Sequence, residues 1–421
     1  MARILILSLI FPPDGVSTAL IMGELAVDLK AAGHDVTVVT TVPHYNRDIA
    51  AEAKQPLSSV FRPFLYSSDF GGVPVLHVAM PRKGPKVWSR LLAWVQFHFL
   101  TLVTALARIP ETDVIVAPSP PLTIGLFAWL LGARYNAPFV YVVQEIYPDI
   151  AISLGAVKNP FLIGRLFALE RFIYAKAAAI TVIAERMRRR LLEKGVPAGK
   201  VRVVPNFVDV DDLRPMPQSN DFSRPLGLDK SFVVTYAGNI GPAQGLDVIL
   251  EAAAVLRDEP GLVFLIIGEG GAREKLKAEM VERRLQNVVI LPHQPYEIVP
   301  LIYAASDMCL VPLAPGAGAD AIPSKVYRIM ACERAIIACA EDETDLAAVV
   351  REAGSGVIVP PGSAAGLSSA VLDGMKNPGG LAAMGAAGRA HVVAHYSRRA
   401  VSARYDALIR EVVSRAAMAR R

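Results

Sequence analysis

The chain alternates short apolar runs with helical segments, and this alternation occurs twice. The first run, residues 2–10, is broken by FPPDG and followed by helically spaced leucines between Ser17 and Ala32. The next apolar run, 35–41, completes a strand–helix–strand unit, whose fixed handedness requires a parallel sheet. The pattern therefore predicts an α/β fold built on parallel sheets.

Further apolar runs continue the pattern on both sides of a polar segment. They fall at 73–79, 113–118, 138–144 and 179–184 in the first half, and at 232–238, 262–268, 288–292 and 308–313 in the second. Between the halves, residues 206–230 are rich in Asp, Pro and Ser and lack helical periodicity, as linkers do.

The length agrees with a division into two domains, because a chain of 421 residues exceeds the size at which one hydrophobic core keeps growing. We expect one Rossmann-like domain at 1–206, a linker at 207–230, a second Rossmann-like domain at 231–398, and a C-terminal helix at 399–421 that can pack back on the first domain. Such sheets bind ligands at the carboxyl ends of their strands, which we expect to face a central cleft.

Composition excludes several protein classes. With 53% apolar and 20% charged residues, the chain is too apolar for a disordered protein and too interrupted by Gly, Pro and charge for a multi-span membrane protein. A net charge of +5 favours an acidic partner, which is nucleotide phosphate, anionic lipid or nucleic acid. Nucleic acid is the weakest of the three, because the sequence has no zinc-finger spacing, ribonucleoprotein motif or basic recognition helix.

The cysteines and the N-terminus favour a cytoplasmic protein. Three cysteines without metal-ligand spacing fit buried thiols better than a disulfide framework. One arginine precedes the first apolar run, but no small-residue cleavage site follows it. We therefore expect a buried first strand and not an export signal.

Several residues at predicted strand ends are candidate ligand neighbours. Gly15 in FPPDG lets the backbone approach a ligand, although an ordinary strand–helix turn explains it equally well. Gly268, Gly270 and Gly271 lie between a strand and a helix, but their spacing is not that of a dinucleotide fingerprint, so they only permit a loop near a nucleotide. His293 follows another predicted strand and is kept as a nucleotide neighbour.

The segment IPSKVYRIMA, residues 322–331, is more informative. Pro323 stands where helices begin, Ser324 can donate a hydrogen bond, and Lys325 carries its charge beside the positive end of the helix dipole. A cation is unfavourable there unless an anion is bound, so a diphosphate ligand would explain the arrangement. The alternative is a lysine that extends into solvent.

The acidic residues indicate no metal site. Asp209, Asp211 and Asp212 lie in the predicted linker and fit solvated turn residues, and no other cluster has metal-ligand spacing.

A basic and aromatic segment at 82–100 is typical of a membrane interface. Its candidate membrane-contact residues are Lys83, Lys86, Trp88, Arg90 and Trp94. The basic side chains suit anionic head groups and the tryptophans suit the acyl boundary, while the apolar run is too short to span. A buried helix with a basic N-terminal end remains the rival interpretation.

Together, these features resemble the GT-B fold glycosyltransferases of the retaining family that includes sucrose synthase-like and mannosyltransferase-like enzymes. The resemblance covers nearly the whole chain, through FPPDG, LAVDLKAAGHDVTVVT, VIAERMRRRLLEKGVPAGKVRVVPNFVD and the VPPG at 359–362. Within the family, QEIYPD at 144–149 and YAGNIGPAQGLDVILEA at 236–252 are most similar to a bacterial branch that builds exopolysaccharide, O-antigen and capsule repeat units.

At three of the positions where the resemblance implies charged family residues, this chain has a different kind of residue. The family's Glu, seven residues, Glu pattern falls on Asp320 and Arg328, so only the first carboxylate is kept. The family's basic pair falls on Asn239 and Gln244, which are neutral. These amides can hydrogen-bond phosphate oxygens but cannot neutralise their charge.

The sequence therefore predicts a metal-independent glycosyltransferase without a cofactor. It is expected to move a hexose or N-acetylated aminosugar from a UDP-type donor, with retention, to a polyprenyl-diphosphate-linked sugar or related glycan at the inner face of the cytoplasmic membrane. Donor phosphates are expected at Pro323, Ser324 and Lys325, and the sugar near Asp320. Glu145 would orient or deprotonate the acceptor hydroxyl. A sugar-nucleotide epimerase of the same fold and a membrane-docked scaffold without catalysis are the alternatives.

Overall fold

The computed structural model describes residues 1–45, 49–80, 87–153, 155–316 and 322–420, with the backbone alone at residue 50 and at 87–94. The chain divides into two compact units. The first unit comprises Met1–Pro205 and Val401–Arg421, and the second comprises Asn206–Ala400.

The first unit is built around a mixed sheet. Its strands are β1 (Arg3–Leu7), β2 (Asp35–Thr41), β3 (Ser58–Phe61), β4 (Leu65–Phe70), β5 (Val73–Val78), β6 (Val114–Ser119), β7 (Phe139–Val143), β8 (Ala179–Val182) and β9 (Val201–Val203). They lie in the order β3-β4-β5-β2-β1-β6-β7-β8-β9, with β3, β4 and β5 paired antiparallel at one edge and parallel pairing elsewhere. The hairpin of β3 and β4 was not predicted, because its short and polar strands carry no long apolar run.

Helices connect these strands. They are α1 (Ser17–Ala31), α2 (Ile49–Lys54), α3 (Val87–Arg108), α4 (Ile124–Tyr135), α5 (Asp149–Ser153), α6 (Pro160–Lys176) and α7 (Glu185–Glu193). The inner strands are apolar along their length because helices cover a parallel sheet. The strand β7, for example, is buried at all five positions.

The second unit holds a wholly parallel sheet. Its strands are β10 (Phe232–Ala237), β11 (Leu262–Ile267), β12 (Val288–Leu291), β13 (Met308–Pro312), β14 (Ala335–Cys339) and β15 (Gly356–Val359). Its helices are α8 (Asp247–Val255), α9 (Arg273–Glu282), α10 (Val299–Ala304), α11 (Lys325–Ala331), α12 (Asp345–Ala353), α13 (Ala364–Lys376) and α14 (Pro378–His395). The strand order β12-β11-β10-β13-β14-β15 reverses between β10 and β13, which is the point where doubly wound sheets bind ligands.

The segment expected to be a linker, 207–230, belongs to the second unit. The Val208 amide donates to the Tyr396 carbonyl at 2.9 Å. The Arg389 guanidinium donates to the Leu213 carbonyl, also at 2.9 Å, and Leu213 is fully buried. The segment is therefore packed against its own domain, although its sequence lacks periodicity.

The last helix, α15 (Arg398–Ala419), packs on the first unit from Val401 onward. The His34 ring contacts the Asp406 carboxylate, with 2.6 Å between Nε2 and Oδ1. The Ala2 amide donates to His34 Nδ1, so Nε2 carries the proton that is donated to Asp406. The Ser402 hydroxyl donates to the Asp28 carboxylate at 2.7 Å.

Candidate functional site

Three predicted ligand residues of the second unit follow neighbouring strands. Asn239 follows β10, Gly268 follows β11 and His293 follows β12. Because β10 pairs with β11 and β11 with β12, all in parallel, the three residues lie at the carboxyl edge of one sheet. This edge includes the reversal between β10 and β13, where a ligand is expected.

Lys325 is partly buried and opens α11. Its Nζ lies 3.8 Å from the centre of the Tyr236 ring, at the end of β10. Burial and, to a smaller extent, repulsion from Arg328 lower the pKa of Lys325 to about 7. No carboxylate of the described ranges pairs with it. A desolvated ammonium without a counter-ion is unfavourable, so a bound anion would stabilise the charged form of Lys325.

Gly238 makes room for the lysine. A Cβ atom at Gly238 would lie 2.6 Å from Lys325 Nζ, so a side chain there would displace the ammonium. A Cβ atom at Gly268 would lie 1.8 Å from the Gly238 carbonyl oxygen, because the turns after β10 and β11 pack backbone to backbone. Gly268 therefore supports the site by allowing this close packing.

The turn after β10 is held by its own hydrogen bonds. The Tyr236 hydroxyl donates to the Asn239 carbonyl at 2.5 Å, and the Gly241 amide donates to Gln244 Oε1 at 3.1 Å. Since the oxygen of Gln244 is used within the turn, its NH₂ group is the part left for a ligand. Tyr236 was missed by sequence reasoning, because nothing local links an aromatic residue on β10 to a lysine on α11.

The start of α11 differs from the prediction. The helix begins at Lys325 with Ser324 as its N-cap residue, and Pro323 precedes the helix. The exposed Ser324 side chain caps no backbone N–H. The Val326 amide already donates to the Pro323 carbonyl at 3.1 Å. The Val326 amide is therefore not free for a ligand, and Lys325 supplies the main positive charge of the helix opening.

Arg328, one turn later on α11, is the second cation of the site. Its guanidinium carbon lies 5.7 Å from the centre of the Tyr296 ring. Its charge acts on Lys325 and helps to lower the lysine pKa. Two cations with no carboxylate of the described residues between them favour an anionic ligand with more than one negative charge. Asp320 lies outside the described residues.

His293 lies farther from this pair of cations. It is exposed and follows β12, which is separated from β10 by β11. At about 4.8 Å per strand, His293 is displaced by about 10 Å from the end of β10. The structure thus places His293 at the predicted edge but does not bring it to Lys325.

In the first unit, Glu145 and Gly15 lie at the carboxyl edge of its sheet, after β7 and β1 respectively. Glu145 is exposed as a residue, but its carboxyl is partly desolvated by the surrounding protein. This desolvation raises the pKa of Glu145. A hydrogen bond with Tyr147 acts in the opposite direction. Next to Gly15, the buried Asp14 carboxylate accepts from the Tyr45 amide at 2.9 Å, which orders this turn.

The predicted membrane segment is only partly described. Lys83 and Lys86 lie outside the described residues, and Trp88, Arg90 and Trp94 belong to the part of α3 with backbone alone. Within the described ranges, no helix has both the length and the apolar character needed to cross a bilayer.

No group of three or more His, Cys, Asp or Glu side chains in the described part of the chain is arranged to hold a metal ion. Asp209 Oδ1 accepts from the backbone amides of Asp211 and Asp212, at 2.9 and 3.1 Å. Asp209 therefore acts as a turn residue.

Two family models match the chain. The glycosyl transferase 4-like domain covers residues 17–206, and the model for glycosyl transferases group 1 covers 218–391. The putative colanic acid biosynthesis glycosyl transferase WcaI of Escherichia coli (strain K12) is 28% identical over 393 residues, which is 89% of this chain and 93% of that protein. The probable glycosyltransferase WbjE of Pseudomonas aeruginosa is 25% identical over 335 residues, or 78% and 82% of the two chains.

Solved structures show the same fold. HepE of Anabaena, crystallised in complex with UDP, superposes with a TM-score of 0.73 at 14% identity and covers 97% of this chain and 100% of its own. Sucrose-phosphate synthase of Thermosynechococcus elongatus gives a TM-score of 0.71 at 17% identity, with 98% and 99% covered. At such identities the likeness concerns the fold, two Rossmann-like domains of the GT-B type.

Proposed function

This chain belongs to the GT-B glycosyltransferases of the bacterial exopolysaccharide type, and from this premise we propose the reaction that it performs. It transfers a hexose or an N-acetylated aminosugar from a UDP-linked donor, with retained anomeric configuration, to a polyprenyl-diphosphate-linked or related glycan. The name of the relative WcaI, which refers to colanic acid biosynthesis, supports a product that is a cell-surface polysaccharide.

The desolvated Lys325, which pairs with no carboxylate in the part of the chain that the structure describes, carries the proposal for the donor. A nucleotide diphosphate supplies the missing negative charge, and Arg328 on the same helix supplies a second positive charge to match it. Asn239 and Gln244, in the turn after β10, contribute neutral hydrogen bonds to the phosphate oxygens. In this arrangement the positive charge comes from α11, whereas the resemblance implies that the family usually has basic residues in the turn after β10.

The same cations explain the proposed independence from metal. When the bond between sugar and diphosphate breaks, negative charge develops on the departing diphosphate. A fixed ammonium and guanidinium in a desolvated site stabilise that charge without reorganisation. Lys325 and Arg328 are proposed to take this role, which a divalent ion fills in other sugar transferases.

Glu145 is proposed to act on the acceptor. Its raised pKa brings the carboxyl closer to neutral pH, where it accepts a proton from an attacking hydroxyl more effectively.

The acceptor and the location are proposed from the basic and aromatic segment at 82–100. A polyprenyl-linked acceptor is confined to a bilayer, so an enzyme that uses it benefits from contact with anionic head groups. The proposed location of the protein is therefore the inner face of the cytoplasmic membrane.

A thermal-shift screen with nucleotide sugars, followed by a turnover assay, tests the proposal. A donor at 100 times its dissociation constant raises the free energy of unfolding by about 2.7 kcal/mol. Transfer of a labelled sugar only when acceptor lipid is present supports a transferase. Conversion of the nucleotide sugar without an acceptor would identify an epimerase, and vesicle binding without any nucleotide-sugar binding would identify a scaffold.

A further inference from the structure

The helix α3 has an apolar stripe on its outer side. Four residues spaced three or four apart are exposed although they are large and apolar, namely Val95, Phe99, Val103 and Leu106. Val95 is 65% exposed and Phe99 63%. The opposite side of the helix is buried, at Phe97, His98, Thr101 and Ala105. The stripe is therefore a continuous face of the helix and not a part of the core.

Two further helices extend this surface. The His98 ring of α3 stacks on Phe127 of α4 with 4.3 Å between ring centres, and Trp129 of α4 meets Phe172 of α6 at 5.0 Å. The helices α3, α4 and α6 thus form one layer. Additional large apolar side chains are exposed on it, at Leu130, Phe161 and Leu162. A cluster of exposed apolar side chains on neighbouring helices is typical of an interaction site.

The charges of the layer have one sign. The helices α3 and α4 comprise 22 and 12 residues and contain neither Asp nor Glu. The 17 residues of α6 contain only Glu170, which is 1% exposed and paired with Lys194 at 2.7 Å. Among the described side chains of these helices, the exposed basic ones are Arg108, Arg134, Arg165, Arg171 and Lys176. Outward charge on these three helices is therefore entirely positive.

We propose that the outer surface of α3, α4 and α6, centred on Val95, Phe99 and Val103, docks on a bilayer that contains anionic lipids. Apolar side chains enter the acyl boundary while arginine and lysine side chains meet the head groups. A second copy of the chain fits this surface less well, because a two-fold contact would place positive charge against positive charge.

The proposal rests on the membrane location proposed above and is independent of the donor chemistry. It extends the contact from the segment at 82–100 along the rest of α3 and onto α4 and α6. Docking through three helices fixes the orientation of the first domain on the membrane.

Vesicle sedimentation with the full chain tests the surface. The variant Val95→Glu/Val103→Glu is compared with Val255→Glu/Val281→Glu, which makes the same change at valines that are 66% and 69% exposed on α8 and α9. For vesicles of phosphatidylglycerol and phosphatidylcholine, the α3 pair should weaken binding at least tenfold, and the control pair should bind like the parent. Val95→Ser/Val103→Ser, which adds no charge, should give an intermediate loss.

Thermal unfolding and the donor-induced thermal shift, measured on every variant, confirm that each one is folded. Equal binding by the α3 pair and the control pair would overturn the proposal. So would equal binding of the parent to neutral and anionic vesicles, or a dimer in light scattering that only the α3 pair dissociates. A parent protein that binds nucleotide sugar but no vesicle refutes this surface and the proposed membrane location but not the proposed donor. One that binds vesicles but no nucleotide sugar refutes the proposed donor.

Discussion

Replacement of Lys325 by methionine is expected to abolish a proton uptake that accompanies donor binding. Methionine keeps an unbranched apolar stem against the Tyr236 ring and removes only the titrating group. In the unliganded protein, burial lowers the pKa of Lys325 to about 7. A diphosphate beside the ammonium stabilises the charged form and raises the pKa again.

The size of the uptake follows from these values. At pH 8 a lysine of pKa about 7 is about 10% protonated, whereas the same lysine beside a diphosphate is almost fully protonated. Donor binding at pH 8 should therefore take up about 0.9 proton per site. At pH 6 the unliganded lysine is already about 90% protonated, so the uptake should fall to about 0.1.

The measurement is calorimetry of donor binding in two buffers with different ionisation enthalpies. A nucleotide sugar is the right ligand, because its diphosphate does not titrate near neutral pH. The parent should show the uptake at pH 8 and lose it at pH 6, and Lys325→Met should show none at either pH. Equal uptake by the parent and by Lys325→Met at pH 8 would refute the placement of the diphosphate at Lys325.

Stability without ligand provides an independent check. Since the folded pKa lies below the unfolded value of 10.5, the unfolded chain binds the extra proton between about pH 7 and 10.5. The free energy of unfolding of the parent should therefore rise with pH across this window. The full difference is about 3–5 kcal/mol, reduced by the solvent that still reaches the ammonium. Chemical unfolding of Lys325→Met should show a flatter pH dependence and a more stable protein below pH 7.

Turnover should respond more strongly than donor affinity, because the charge on the diphosphate is greatest in the transition state. Loss of the ammonium in Lys325→Ala should cost about 2–4 kcal/mol of activation free energy, a decrease of roughly 30- to 1000-fold. Lys325→Arg should recover only part. The double variant Lys325→Ala/Arg328→Ala shows whether Arg328 takes over. Parental turnover in all three would mean that the diphosphate binds elsewhere.

Three further predictions concern the acceptor base, the metal and the membrane. Glu145→Gln should lower turnover by about a hundredfold with unchanged donor affinity. It should also remove the acid limb of the pH profile of turnover, which the raised pKa of Glu145 creates. Unchanged turnover would exclude Glu145 from the mechanism. A chelator should leave turnover of the purified enzyme intact, and a requirement for added magnesium or manganese would contradict the role given to Lys325 and Arg328. Lys83→Glu/Lys86→Glu should weaken binding to anionic vesicles but not donor binding, and a variant that sediments like the parent would limit the contact to the surface of α3, α4 and α6.

The sequence by itself determined the architecture, because strand and helix periods are local properties. The strand–helix alternation predicted two domains with parallel sheets. The fold confirms this for the six-stranded sheet of the second unit and for the sheet of the first unit apart from its antiparallel edge. The resemblance to GT-B glycosyltransferases is also confirmed. The hairpin of β3 and β4 escaped prediction, because an edge strand such as LYSSDF lacks the apolar run that marks a buried parallel strand.

Only the tertiary structure decided which distant side chains meet. The sequence placed Lys325 near the start of a helix, but its contact with Tyr236 and its burial depend on how α11 packs beside the end of β10. The contact of His34 with Asp406 likewise appears only when α15 folds back on the first unit. Which side of α3 faces outward is likewise set by the tertiary structure, because only packing buries the other side of this helix. Periodicity fixes which residues share a face, but burial and pairing are set by what packs against that face, which no local pattern contains.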